Sequence, residues 1–169
     1  PELLSRKQRW GVIIASAAID PIWWLFIIWI PTYLFEVHNF NIKDLAVSGW
    51  LPYVGAMFGA WFGGLLAQNR MLPSLLAMSV AATPALALGL MFVILFGFQT
   101  AIGNVQTLPS DFYGGKTVGT LSGFAGMAAK LAAAGLTYLV PWLTMGANYA
   151  PVFVLGSALA ITAIASVWV

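Results

Sequence analysis

Two ionisable residues stand inside long apolar runs that would ordinarily exclude them. Lys130 sits in "GMAAKLAAAGL" (126–136) and Asp20 in "IIASAAIDPIWWLF" (13–26). A charge at bilayer depth costs several kcal/mol unless it faces a protein interior or a water-filled cavity. Helical spacing gives each a set of neighbours. Ser122, Gly126 and Lys130 are four apart and share one helix face, as do Asp20 and Trp24. Gln99, Gly103 and Gln106 share another, with the amide of Asn104 close by. Three helices thus each offer a polar or aromatic face with small residues beside it, which is how a central hydrophilic cavity is built. In such a cavity Lys130 would be the counter-charge for an anion. The amides of Gln99, Asn104 and Gln106 and the ring of Trp24 would suit a polyhydroxylated body, the amides bonding hydroxyls and the ring stacking on C–H groups. Asp20, as a membrane-embedded carboxylate, is a candidate for proton coupling. The competing reading is a structural Asp20–Lys130 ion pair that locks two helices together. Snorkelling explains Lys130 poorly, because it lies too far from either interface.

Composition narrows the remaining chemistry. Of 169 residues, 61% are hydrophobic and 7% charged, against roughly 25% charged in a soluble domain. Water is not the main solvent of such a chain, and it reads as an integral membrane protein in contact with the lipid bilayer. Cysteine is absent, so there is no disulfide, thiol nucleophile or thiolate metal site, and the single histidine, His38, makes no metal site alone. The net charge of +2 is too small to suggest nucleic-acid binding. No Ser/His/Asp arrangement, carboxylate pair at helical spacing or phosphate-cradling glycine loop occurs, so the chain does not read as an enzyme and needs no cofactor beyond a coupling proton. The opening segment does not fit a secretory leader, and the chain reads as part of something larger.

The elements that must position these residues are helices. Their apolar runs lack the alternation of barrel strands and approach the ~20 residues a spanning helix needs. Spans are expected at about 10–36, 45–68, 85–107, 117–143 and 149–169, with Pro21 and Pro31 inside the first. Residues 70–82 form too short a run to cross, about 18 Å at 1.5 Å per residue, and are expected to be the end of a helix whose beginning and preceding loop are missing near 70–71. That makes six helices. Five cations (Arg6, Lys7, Arg9, Arg70, Lys116) fall on one side and Lys43 on the other, so both ends are expected to be cytoplasmic. Gly55, Gly59 and Gly63 form one stripe for close helix approach, and Gly119 and Gly123 a second. Trp10, Tyr33, Trp50, Trp142 and Tyr149 are candidate interface anchors, and His38 is expected in a solvated turn.

"DPIWWLFIIWIPTYL" (20–34) resembles the first helix of the C-terminal half of hexuronate carriers in the anion:cation symporter family of the major facilitator superfamily. "NVQTLPSDFYGGKTVGTLSGFAGMAAK" (104–130) resembles the tenth helix, loop and eleventh helix of the same family. The resemblance implies an all-α integral membrane fold, with residues 1–169 as the six-helix C-terminal bundle of a twelve-helix transporter whose N-terminal half is absent. It implies import of a small organic anion, typically a sugar acid, by proton symport across the inner (plasma) membrane. It places Gly126 and Lys130 at substrate-facing positions that carry amides in related carriers, and Gln106 at another. Lys130 departs from that pattern, a cation replacing a neutral amide. Glucuronate and galacturonate are the first candidate substrates. The alternatives are an aldonate, a sialic acid or a dicarboxylate, or a non-transporting membrane subunit with a scaffold pair.

Overall fold

The computed structural model describes residues 7–62, 65–145 and 148–167, and these carry seven helices: α1 (Lys7–His38), α2 (Ile42–Ser48), α3 (Leu51–Phe62), α4 (Leu65–Met78), α5 (Pro84–Phe112), α6 (Lys116–Leu143) and α7 (Ala150–Val167). The stretches 8–38, 84–111 and 117–143, which make up nearly all of α1, α5 and α6, are long and apolar enough to cross a membrane. At 18 residues α7 is about 27 Å long, just under the ~30 Å hydrocarbon core.

The expected second span is redrawn. Asn41 opens a short helix of its own, because its side chain accepts from the Lys43 and Asp44 backbone N–H groups while Asp44 accepts in return from the Asn41 N–H. That helix ends at Gly49, and α3 starts at Leu51 with Pro52 in its first turn, where the missing N–H leaves no helix bond unmade. Residues 65–68, assigned to the end of that span, instead open α4, which continues without interruption through 70–71 to Met78. The span expected to end at residue 107 runs on to Phe112, so Ser110 and Asp111 are helical and the glycine turn is confined to residues 113–115. Gly115 makes that turn with φ +61, a region glycine enters without strain.

Helices α1 and α5 are the two hubs. The α1 helix packs on α6 and α7 and meets α5, while α3 and α4 pack on α5 and α4 also reaches α7. Their shared core holds Phe26, Ile30 and Leu34 of α1, Met91, Leu95 and Phe98 of α5, Met71 and Leu75 of α4, and Phe153 of α7. Between apolar helices in lipid, close packing rather than water exclusion supplies the attraction. The first glycine stripe shows how close. A Cβ on Gly55 or Gly59 would collide with the carbonyl oxygens of Phe92 and Phe96, and Thr100 Oγ1 donates across the same seam to the Gly59 carbonyl at 3.2 Å. Gly63 lies outside the described residues. The second stripe differs, for a Cβ on Gly119 or Gly123 would meet nothing. These glycines lie on the open side of α6, whose best span window is 28% buried against 50% for α1 and α5.

Candidate functional site

Helices α1, α5 and α6 meet around a cavity of about 240 Å³. Helix α1 contributes Ser16 and Asp20, α5 contributes Ile102, Val105, Gln106 and Pro109, and α6 contributes Ser122, Ala125, Gly126, Ala129 and Lys130. The small residues of α6 are what leave the space: Gly126 has no neighbour within reach of an added Cβ, and Ala125 and Ala129 project only a methyl group. Lys130 lies about 20 Å along α6 from either end, at mid-membrane depth for a helix that crosses.

Asp20 and Lys130 meet there. Lys130 Nζ donates to Asp20 Oδ2 at 2.8 Å. The same oxygen accepts the Trp24 indole N–H at 3.1 Å, and Lys130 Nζ lies 5.3 Å from the Trp24 ring centroid, within cation–π range. The two partners are unequally placed. The Asp20 side chain is 16% exposed and that of Lys130 61% exposed, so the carboxylate is set into the wall while the ammonium reaches into the cavity. Oδ1 of Asp20 has no partner among the described residues. The side chains of Ser16, Gln106 and Ser122 likewise make no hydrogen bond to the described residues, so the cavity presents a cation, an amide and two hydroxyls to whatever enters it.

Of the residues singled out from spacing, Lys130, Asp20, Gln106, Ser122 and Gly126 line this cavity, and Trp24 touches both members of the ion pair. Gln99 and Asn104 do not line it. Gln99 is half-buried about two turns before Gln106 on α5, and Asn104 is exposed but turned from the lining positions 102, 105, 106 and 109. Ser16 is a lining residue that the sequence reading passed over. Its signal was present, because it precedes Asp20 by four and Trp24 by eight on one helix face.

The other tryptophans of α1 pack. Trp23 stacks on Phe98 at 5.5 Å and meets Tyr53 edge-on, and Trp29 lies against Leu25, Leu136, Val140 and Val152. His38 is not in a solvated turn: it ends α1 half-buried, edge-on to Tyr33 with Nε2 3.2 Å from the Tyr33 hydroxyl. Two of the supposed interface anchors are also internal. Tyr33 and Tyr149 are each 4% exposed and packed edge to face, and the Tyr149 hydroxyl donates to Glu36 Oε2 at 2.7 Å. Trp10, Trp50 and Trp142 are exposed, as anchors must be.

Comparison with known proteins gives this geometry a context. The hexuronate transporter of Escherichia coli (strain K12) is 29% identical over 173 residues, covering 90% of this chain and 40% of the relative. The chain is thus similar over most of its length to a protein named as a transporter of an organic anion. A galacturonate transporter of Dickeya chrysanthemi is 32% identical over 65 residues, or 38% of this chain and 19% of the relative. A probable sulfoacetate transporter of Cupriavidus necator is 26% identical over 187 residues, or 96% of this chain and 43% of the relative. The chain therefore spans about 40% of the length of the curated full-span relatives it matches. The 173 aligned positions exceed the 90% of 169 residues that they cover, so the hexuronate transporter carries residues within the aligned stretch that this chain lacks. These homologues are all named as transporters, not enzymes. No protein-family model and no solved structure matches the chain.

Proposed function

We propose that this chain is the C-terminal half of a proton-coupled symporter that imports a sugar-acid anion, with glucuronate and galacturonate as the first substrates to test. The observation that carries the reading is Lys130, a cation reaching into a mid-membrane cavity where the side chains of Gln106, Ser122 and Ser16 make no hydrogen bond to the described residues. The substrate carboxylate pairs with Lys130, ring hydroxyls bond Gln106, Ser122 and Ser16, and Trp24 closes one side. At about 240 Å³ the space lies below the roughly 300–1,000 Å³ of drug-sized pockets, in keeping with a monosaccharide whose other face meets the N-terminal half. Alternating access requires two repeats rocking about a shared site, so that half belongs to the same polypeptide in this reading. The protein lies in the inner (plasma) membrane, with the Lys116 turn and both ends of this half cytoplasmic.

Counterflow uptake by the full-length protein in liposomes, run over hexuronates, aldonates, a sialic acid and dicarboxylates, tests the reading. Lys130→Ala should weaken sugar-acid affinity by about tenfold or more, the equivalent of one modest ionic contact. Unchanged uptake and affinity would remove Lys130 from the site. The formed ion pair favours a second reading, a scaffold joining α1 and α6. A double-mutant cycle separates the two: the scaffold reading requires Asp20→Asn with Lys130→Gln to restore the stability and transport lost in each single variant.

A further inference from the structure

Helices α3 and α4 are too short to cross a membrane. At 12 and 14 residues they are about 18 and 21 Å long, against a hydrocarbon core of ~30 Å. Helix α5, on which both pack, has 29 residues. The α3 helix runs parallel to α5, since Gly55 meets Phe92 and Gly59 meets Phe96. The α4 helix follows after residues 63–64 and ends at Met78, shortly before α5 begins at Pro84. The two therefore form a hairpin that enters from the α2 side and turns back near the middle of α5. We infer that the face of α5 beyond this hairpin lines a water-filled inlet from the side of the Lys116 turn, separate from the cavity that holds Lys130. The inference does not depend on the anion-carrier reading.

Helical register identifies the face. Phe92, Phe96 and Thr100 are four apart and lie under α3. The same stripe continues through Gly103, Thr107 and Ser110 to Asp111, with Asn104 at its edge. Helix α5 runs twelve residues past Thr100, whereas α3 runs three past Gly59, so ~14 Å of α5 extends beyond the hairpin. Gly103, Asn104, Thr107, Ser110 and Asp111 are all exposed, and a Cβ added to Gly103 would meet nothing. At about 100° per residue the stripe lies more than a third of a turn around α5 from the cavity positions 102, 105, 106 and 109. It therefore points away from the side on which a second half would close the cavity.

The chemistry of the stripe selects water over lipid. Under α3, Thr100 Oγ1 donates across the seam to the Gly59 carbonyl at 3.2 Å and to the Phe96 carbonyl of its own helix at 3.0 Å. Past the hairpin, the Thr107 and Ser110 hydroxyls donate to carbonyls of their own helix alone, at 2.9 and 2.7 Å. The Asn104 amide makes no hydrogen bond to the described residues, and facing hydrocarbon it would cost several kcal/mol. Water satisfies it, and Asp111 stands near the end of α5 as a charged mouth. Gln68, Asn69 and Arg70 fall in the first two turns of α4, directly after the hairpin turns. A cation at that depth is tolerated where a water-filled space reaches it.

Thiol reactivity reads this directly, because the attacking thiolate forms in water and not in hydrocarbon. The experiment uses the full-length protein, cleared of other cysteines, with Asn104→Cys, Thr107→Cys, Ala101→Cys or Gly114→Cys introduced singly. A membrane-impermeant methanethiosulfonate is applied on the side from which Gly114→Cys reacts. Asn104→Cys and Thr107→Cys should react within about tenfold of the Gly114→Cys rate, and Ala101→Cys, at a buried position, sets the slow limit. Thr107→Cys, nearly the same size as threonine, carries the test alone if Asn104→Cys does not fold. Slower reaction than that at the stripe overturns the inference, since lipid or a covering helix then occupies the face. A helix built from the residues that the hexuronate transporter carries and this chain lacks would give that result. Uptake measurements bear on the anion site and leave this outcome untouched.

Discussion

At the scale of single residues, the distinction that matters is between polar groups already satisfied by the chain and those left over. Asp20 and Lys130 satisfy each other, yet the lysine stays accessible. Gln106, Ser122 and Ser16 are left over around the same space. Tyr149 belongs to the first kind. Burial, and then its hydrogen bond to the Glu36 carboxylate, raises its hydroxyl above the usual tyrosine range. A raised folded-state value means the contribution is fully present below the unfolded tyrosine pKa, about 10, and is lost only at higher pH. Tyr149→Phe should therefore lower stability by about 1 kcal/mol, and the gap in melting temperature from wild type should stay constant between pH 7 and 9. A gap that closed within that window would show that the hydroxyl ionises there. His38 illustrates the limit of reading single residues: flanked by polar neighbours it looked solvated, and only the position of Tyr33 explains its burial.

At the scale of elements, two glycine stripes alike in sequence have different fates. Gly55 and Gly59 are closed against α5 by direct backbone approach, whereas Gly119 and Gly123 face open space. Gly59→Ala should force α3 and α5 apart and cost about 1–3 kcal/mol, visible as a lower melting temperature in detergent. Gly123→Ala should leave the stability of this half unchanged, because nothing in it lies within reach of the new methyl group. Should Gly59→Ala melt like wild type, the close α3–α5 seam would be wrong. Spacing alone could not separate the stripes, since it reports which residues share a face and not what that face meets.

At the scale of the whole molecule, α6 is held mainly by α1 and leaves its glycine-bearing side open. Orientation can be tested with single cysteines placed in this half, which has none of its own, in a full-length protein cleared of any cysteine elsewhere. Under the proposed topology, Lys43→Cys in the full-length protein should react with a membrane-impermeant thiol reagent from outside the cell. Gly114→Cys should react only after the membrane is opened. The reverse pattern would invert the orientation argued from the Lys and Arg distribution.

Composition and period determined much of this protein before any fold was known. So few charges require lipid as solvent, and the four-residue spacing of Ser122, Gly126 and Lys130 puts them on one face whatever the helix packs against. Asp20 and Trp24 are joined for the same reason, since a helix imposes its own neighbours. Helix limits were less legible: α2 separates because an Asn41–Asp44 capping box and the following Gly49 and Pro52 outweigh a continuous apolar run. What only the tertiary structure decided is which faces meet. It brought Asp20 to Lys130 across 110 residues of sequence, set Gln106 in the cavity while leaving Gln99 and Asn104 off it, and buried Tyr33 against Tyr149. Helical periodicity is local, but a cavity forms where three helices fail to touch, and that is settled by the packing of all of them at once.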